Sequence, residues 1–151
     1  MQGYDISTNP LNTIEWLFAV MECAHIASLA LSVGTIAMVD MSLLGTGVKG
    51  RSPAQILRAT EMWTGAGLLI VITAGLALFS SDPLRYYYSP TFRLKMWILL
   101  AAIIFNYTIH RKVALSRPSP LVSKMAGAVS LILWIGVIFG GLFFAFTPGG
   151  Y

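Results

Sequence analysis

Four long apolar stretches alternate with short polar segments along the chain. They run from about 14 to 44, from 62 to 79, from 96 to 109 and from 121 to 146. A helix that spans a bilayer needs about 20 apolar residues. The second and third stretches reach that length when their polar-flanked ends are counted, and the first and fourth exceed it, which indicates tilt or extension beyond the bilayer. The pattern therefore predicts an all-α fold, a four-helix transmembrane bundle.

The polar segments between these stretches contain residues that start helices. Ser-Pro pairs stand at 52–53, 89–90 and 119–120. The serine can cap the first turn, and proline at the first helical position loses no hydrogen bond. Asn12 and Glu15 have the spacing of a capping box, and Pro148-Gly149-Gly150 is expected to end the fourth helix. We therefore predict one domain over residues 1–151, with helices at about 13–44, 53–80, 90–114 and 120–146.

The composition excludes the soluble classes of protein. Hydrophobic residues make up 56% of the 151 residues and charged residues 11%, and the mean hydropathy is +0.74. A soluble domain carries about 25% charged residues, so this chain cannot cover a soluble surface. A secreted disulfide scaffold, a disordered tail and a nucleic-acid binder are excluded, and the lipid bilayer is the expected partner. The single cysteine, Cys23, can form neither an internal disulfide nor a Cys-rich metal site.

The basic residues are distributed unequally between the two sides of the predicted bundle. Seven of the ten connect helix one to two and helix three to four, and three lie on the opposite side. The positive-inside rule places the richer side in the cytoplasm, so both termini are predicted outside, on the periplasmic side. The seven are Lys49, Arg51, Arg58, Arg111, Lys112, Arg117 and Lys124, and the three are Arg85, Arg93 and Lys95.

The predicted outer loop, 81–93, contains three consecutive tyrosines, Tyr86-Tyr87-Tyr88. Trp16 and Trp97 lie near the same level. Tyr and Trp are enriched where a membrane meets water, so these residues indicate an interfacial aromatic belt. A lip on which a ligand or partner docks is the functional alternative.

Glu22 and His25 lie in the outer half of helix one. They are three residues apart, so they share a helix face. Charge inside a membrane is costly, and intramembrane ionisable residues are functional by default. One interpretation is a buried hydrogen-bonded pair in which Glu22 fixes the imidazole tautomer. The other is that His25 binds a haem iron or a metal, with Glu22 orienting it. Two such ligands are fewer than a zinc site needs.

A second group of polar residues is predicted near the inner ends of the first three helices. Asn106 and His110 are one turn apart on the same face of helix three. The simpler interpretation of this inner cluster is a salt-bridge and hydrogen-bond network that locks three helices together. The functional interpretation is a proton or ligand site that opens to the cytoplasm. The cluster consists of Asp40, Arg58, Glu61, Asn106, His110 and Arg111.

A haem held between His25 and His110 is disfavoured by depth. At 1.5 Å per residue, His25 is about 12 Å and His110 about 21 Å below the outer boundary. A haem bound by His25 with a methionine, or with a ligand from another chain, avoids this offset. Gly136 and Gly140 have the small-xxx-small spacing of close helix packing. The sequence contains no nucleotide-binding loop, Ser-His-Asp set or paired catalytic carboxylates.

Five short motifs follow one another along the chain: Glu22-x-x-His25, Asp40-Met-Ser-Leu-Leu-Gly45, Phe92-x-x-Lys95, Asn106-x-x-x-His110 and Ser130-x-x-x-Trp134-x-Gly136. In these motifs the chain resembles a family of small four-helix bacterial membrane proteins of unknown function. The resemblance extends from about 15 to 146 and implies a four-helix fold in a bacterial membrane, with no established reaction; we expect the inner (cytoplasmic) membrane. One departure is Gly141-Leu142, where the family often has Gly-Arg, so an anion contact by that arginine is not implied here. The family is distantly similar to copper-resistance and cytochrome-b-like membrane bundles.

These observations lead to three hypotheses about function. The first is a small non-catalytic membrane subunit or accessory protein that packs into a larger assembly or forms a homo-oligomer. It rests on short loops, glycine faces and the lack of a catalytic set. The second is a membrane redox protein in which His25 holds haem b or a metal for electron transfer, with Glu22 and His110 as further cofactor residues. The third is a metal or proton conduit through Glu22/His25 and Asp40/His110.

Overall fold

The computed structural model describes residues 5–116 and 118–146, which are almost entirely helical and contain no strand. Four helical segments are long and apolar enough to cross a membrane. The predicted all-α fold with four spans is therefore confirmed, and the third span consists of α5, a π-helical segment and α6. The elements are a 3-10 turn (Ile6–Thr8), α1 (Pro10–Thr13), α2 (Glu15–Leu44), α3 (Pro53–Ser81), α4 (Pro83–Tyr88), α5 (Pro90–Phe105), the π-helical segment (Asn106–His110), α6 (Arg111–Ser116) and α7 (Pro120–Phe146).

Three spans begin at the predicted Ser-Pro pairs. The Ser52 hydroxyl accepts from the Gln55 amide, and the Gln55 side chain accepts from the Ser52 amide, which forms a capping box. The Ser89 hydroxyl accepts from the Phe92 amide, and α7 begins at Pro120. Each cap satisfies an amide that the first helical turn leaves free. The predicted stop at 148–150, and Arg117, lie outside the described residues.

The capping box predicted between Asn12 and Glu15 is wrong. Ile14 precedes α2 and offers no side-chain cap. The chain instead forms the separate short helix α1, since Asn9 caps it by accepting from the Leu11 amide and Pro10 follows. The Asn12 side chain is used elsewhere: its amide group donates to the carbonyls of Ile6 and Ser81. This contact fastens the N-terminal segment to the end of α3.

The predicted outer loop contains a helix, α4, which Asp82 caps by accepting from the Arg85 amide. Tyr86 turns inward and packs against Phe79 and Phe92, with ring centroids 5.8 and 5.1 Å away. Burial raises the pKa of the Tyr86 phenol above its ordinary value. The remaining aromatic residues of the predicted belt are exposed, as a membrane interface requires: Trp16, Tyr87, Tyr88 and Trp97. We call this end of the bundle the tyrosine end, and the opposite end, with the 45–52 loop, the basic end.

The spans pack in two closely spaced pairs. α2 packs against both α3 and α7, and α5 packs against α7. Gly67 faces α2 so closely that a side chain there would collide with the Ser32 hydroxyl and come within 3.0 Å of the Ser28 carbonyl. On α7, Gly136 faces Ile98 and Gly140 faces Lys95. The glycines predicted as packing faces therefore lie at helix contacts, where a missing side chain permits close approach.

Two clusters of buried apolar residues form the core, with a polar layer between them. One cluster lies toward the basic end and the other near the middle of the bundle. Within the described residues, the buried apolar side chains toward the tyrosine end belong to neither cluster: Leu11, Val71 and Ala74. The basic-end cluster contains Val39, Leu43, Ile56, Leu57, Val113, Ala114 and Ala126, and the middle cluster contains Ile36, Leu68, Ala102, Trp134 and Val137.

Candidate functional site

The polar layer of the core is built around Asp40 and His110. Asp40 is fully buried (0% exposed) and His110 nearly so (1%), and His110 Nε2 lies 2.6 Å from Asp40 Oδ1. The Ser130 hydroxyl donates to the other carboxylate oxygen, Oδ2, over 3.0 Å. These side chains come from α2, the third span and α7, so the contact joins three spans at one level.

The hydrogen bonding of this layer is incomplete. The His110–Asp40 contact meets the distance of an ion pair, but not the geometry of a hydrogen bond. His110 Nδ1 is buried and has no partner among the described residues. Buried polar groups are nearly always hydrogen-bonded, and each exception calls for an explanation. The layer therefore holds a titratable ring with one nitrogen left for a further partner.

A π-helical turn positions His110. The amide of Arg111 donates to the carbonyl of Asn106, five residues earlier, as well as to Thr108. Such a turn accommodates one more residue than an α-helical turn, and π-bulges occur frequently at functional sites. Asn106 and His110 are both buried. Both residues face the interior, which agrees with the shared face predicted from their spacing.

A small cavity of about 20 Å³ adjoins His110. It is large enough for about one water molecule. On its basic-end side lies an ion pair in which Arg111 donates to Glu61 over 2.7 Å, with both side chains 42% exposed. The structure thus brings five members of the predicted inner cluster to one region. The cavity is lined by Ile36, Val39, Leu57, Glu61, Thr64, Asn106, Tyr107, His110 and Arg111.

Arg58, the sixth predicted member, stands apart. It is exposed on α3, and no described residue forms an ion pair with it. A larger cavity of about 340 Å³ lies at the basic end. Lys124 is the one titratable side chain among the described residues that line it. Neither feature adds to the polar layer around Asp40.

His25 is held by the backbone and not by Glu22. Its Nδ1 lies 3.0 Å from the Val71 carbonyl on α3. A carbonyl only accepts, so we assign the proton to Nδ1, which leaves Nε2 with a free lone pair. Glu22 is exposed, and its charge reaches His25 only over a longer distance. The predicted hydrogen-bonded Glu22–His25 pair is therefore corrected: Val71 fixes the tautomer.

Of the three residues named as candidates for a cofactor, His110 lies far from His25. His110 lies at the level of Asp40, which follows His25 by fifteen residues on α2. At 1.5 Å per residue the two histidines are roughly 22 Å apart along the helix axis. Among the described residues, no three His, Cys, Asp or Glu side chains could hold a metal ion together. His25 and His110 are therefore too far apart to bind the same group.

A comparison with models of protein families identifies the family to which the chain belongs. The model of a family of unknown function, DUF6644, matches residues 12–147. The chain belongs to this family. No curated protein and no solved structure matches it significantly. Membership of DUF6644 therefore covers all residues of the polar layer and both ends of the bundle, and it assigns no activity to them.

Two residues of this DUF6644 chain gain importance that single-sequence reasoning did not give them. Ser130 was named only as a residue of a matching motif, and the structure makes it the hydrogen-bond donor to Asp40. Lys95 was named as an outer charge and a motif residue, and its side chain is half-buried against α7. Its position one to two turns inside a span was the available signal, because a charge at that depth needs a reason.

Proposed function

We propose that the chain is an integral protein of the bacterial inner membrane with both termini on the periplasmic side. The four long apolar helices support a membrane location. Six of the seven basic residues that predict the cytoplasmic side are described, and five of the six are exposed at the basic end. We infer the orientation from the positive-inside rule, which puts the basic end in the cytoplasm.

Cysteine labelling tests this orientation. Lys49→Cys and Tyr87→Cys, each in a Cys23→Ser background, place one thiol at each end of the bundle. In intact bacterial spheroplasts, a membrane-impermeant maleimide is expected to label the Tyr87→Cys protein. It should label the Lys49→Cys protein only after permeabilisation. The reverse pattern would place the termini in the cytoplasm.

For function, we propose that the protein binds and releases a proton at the Asp40–His110 pair. The contact of 2.6 Å between these two fully buried side chains carries the proposal. Imidazole changes its charge near physiological pH. Ionisable pairs inside a membrane are costly and mark proton relays and similar sites. This site is the inner part of the proton conduit among the three hypotheses.

The cavity beside His110 supports proton exchange with the basic end. One water molecule there would lie between the imidazole and the Glu61–Arg111 pair. Glu61 and Arg111 are partly exposed, so the pair is the boundary between the cavity and its surroundings. A proton would pass from this boundary through the water to the ring, and Asp40 would balance the charge of the imidazolium.

Nitrogen NMR of the two histidines tests the proposal. His25→Gln leaves His110 as the single imidazole, because the chain has two histidines. In ¹⁵N-His-labelled protein in nanodiscs, the His110 ring signals are expected to show both the protonated and the neutral ring as the pH is changed. Asp40→Asn should change the midpoint, and Glu15→Gln, at the opposite end, should not. A ring that keeps one protonation state throughout, in folded protein, would favour a purely structural lock.

A second candidate is the accessory subunit. It is favoured by α5, where Ala102 is the single buried residue. The rest of this helix presents apolar surface that lipid or another membrane helix can cover. Native mass spectrometry of the protein extracted in mild detergent tests it. A stoichiometric complex or homo-oligomer supports the assignment, and a lone 16.4 kDa chain contradicts it.

A third candidate is the haem b protein, which the geometry of His25 favours. The ring is anchored through Nδ1, so Nε2 carries the lone pair that would bind iron. Metal-binding histidines commonly donate their other nitrogen to a carbonyl in this way. A Soret band in the purified protein that disappears in His25→Ala would support haem binding. A flat spectrum in protein extracted with added haem would reject it.

A further inference from the structure

Lys95 is a cation inside the third span that lies against the backbone of α7. It follows the first residue of α5, Pro90, by five residues, which is about 7.5 Å along the helix. A Cβ built on Gly140 would be 3.2 Å from Lys95 Cβ, and one on Gly141 would be 3.1 Å from Lys95 Nζ. The two glycines therefore leave the space in which the lysine side chain lies.

The side chain points toward the tyrosine end. α7 runs from the basic end to the tyrosine end, so Gly141 is nearer to the tyrosine end than Gly140. The Lys95 stem begins beside Gly140, and its ammonium group lies beside Gly141. Lysines near helix ends commonly extend toward the membrane interface in this manner. The ammonium group is thus directed to the level at which lipid headgroups lie.

No described residue neutralises this cation. The ion pairs of the described chain are His110–Asp40 and Arg111–Glu61, both far from Lys95 along the spans. Glu22 on α2 and Asp82 before α4 are the described carboxylates of the spans and loop at this end, and neither lies within 4.0 Å of Lys95 Nζ.

An unpaired cation in a membrane protein carries a desolvation cost that an anion would offset. Apart from the exposed cation Arg93, the exposed residues next to Lys95 on α5 are apolar: Leu94, Met96 and Trp97. An anionic group with an apolar tail fits this combination, because the tail can lie on α5 while the head meets the ammonium group.

We propose that Lys95 binds the oxyanion of an amphiphile. The oxyanion is a phosphate or a carboxylate, and two sources supply it: an acidic phospholipid or a long-chain carboxylate. The ammonium group donates hydrogen bonds to the oxyanion. Gly140 and Gly141 are specificity elements, because a side chain at either position would push the lysine away from α7.

Native mass spectrometry with defined amphiphiles tests this site. Delipidated protein is incubated with phosphatidylglycerol, with phosphatidylcholine as the zwitterionic control, or with oleate. We expect wild-type protein to retain an anionic amphiphile at least about tenfold better than phosphatidylcholine, and Lys95→Met to lose this preference. Lys124→Met, which removes an exposed lysine from the basic end of α7, is the matched control and should keep it.

The possible outcomes distinguish the two sources of the oxyanion, and they also show when the proposal fails. Retention of phosphatidylglycerol alone identifies a phospholipid site, and retention of oleate alone identifies a carboxylate site. Equal retention by wild-type protein and Lys95→Met would overturn the proposal. Lys95→Arg preserves the charge and should preserve binding, which keeps the test valid where Lys95→Met fails to fold. Titration of His110 in the Lys95 variants should be unchanged, so the proposal for Lys95 and the proposal for the proton site can be rejected independently of each other.

Discussion

Asp40→Ala is expected to destabilise the bundle by about 3–5 kcal/mol, the usual cost of breaking a buried ion pair by removing one partner. The variant leaves His110 buried without a counter-charge and the Ser130 hydroxyl without its acceptor. It also opens space between three spans at once. The measurement is unfolding of the purified protein by sodium dodecyl sulfate in mixed micelles, followed by tryptophan fluorescence.

The second ion pair of the described chain provides the matched control. Glu61→Ala removes the partner of Arg111, but both side chains are 42% exposed. Exposed pairs contribute about 0–1 kcal/mol, so this variant should lie close to wild type. The double variant Asp40→Leu/His110→Leu should recover much of the lost stability, since apolar residues can replace a buried pair at little cost. An Asp40→Ala effect as small as that of Glu61→Ala would contradict the buried pair.

The double variant also separates stability from function. A pair kept only to lock three spans would be replaceable by leucines with no other consequence. A pair kept to bind protons would lose that property even where the stability returns. In vesicles loaded with a pH-sensitive dye, a stable double variant should therefore lose any proton uptake that the wild-type protein shows.

Trp134→Ala should have the second large effect, a loss of about 3–5 kcal/mol. Trp134 is 1% exposed and packs in the middle cluster beside Ile36, Leu68 and Ala102. Water is not the alternative environment here, because a helix separated in the membrane meets lipid tails. The cost arises mainly from lost packing contacts and from the cavity that the missing indole leaves.

Ile132→Ala on the same helix is the control. Ile132 is 68% exposed, so lipid replaces its contacts in both the folded and the unfolded state. The change should stay within about 0.5 kcal/mol of wild type. Thermal and dodecyl sulfate unfolding of both variants provide the comparison. Equal losses at the two positions would mean that Trp134 does not lie in a packed core.

Local chemistry was sufficient to predict the helices and most of their ends. Apolar runs of spanning length and Ser-Pro caps are properties of continuous stretches of chain, so a single sequence is enough to recognise them. The exception was the start of the first span. Asn12 had the spacing of a cap, but its side chain reaches Ser81 on another element. A side chain that could cap a helix can instead form a hydrogen bond with a group that folding brings near. The spacing of residues in the sequence does not reveal that group.

The members of the polar layer were partly predictable. Asp40, Asn106 and His110 stood out because charge and polarity inside a span are expensive. Ser130 did not, since serine in an apolar helix is equally typical of a packing face. Arg58 shared the depth of the cluster but lies on an exposed face of α3. Depth follows from counting residues, whereas the direction of a side chain also depends on how each helix is rotated.

The all-α fold, the four spans and the membrane class follow from the sequence alone, because hydrophobicity and helix caps are local properties. The partners of the polar residues required the tertiary structure. Ser130 is 90 residues from Asp40, and Val71 is 46 residues from His25. Lys95 meets Gly140 and Gly141 only because α5 and α7 pack side by side. Such contacts depend on the rotation and neighbour order of the helices, which packing between helices distant in sequence decides.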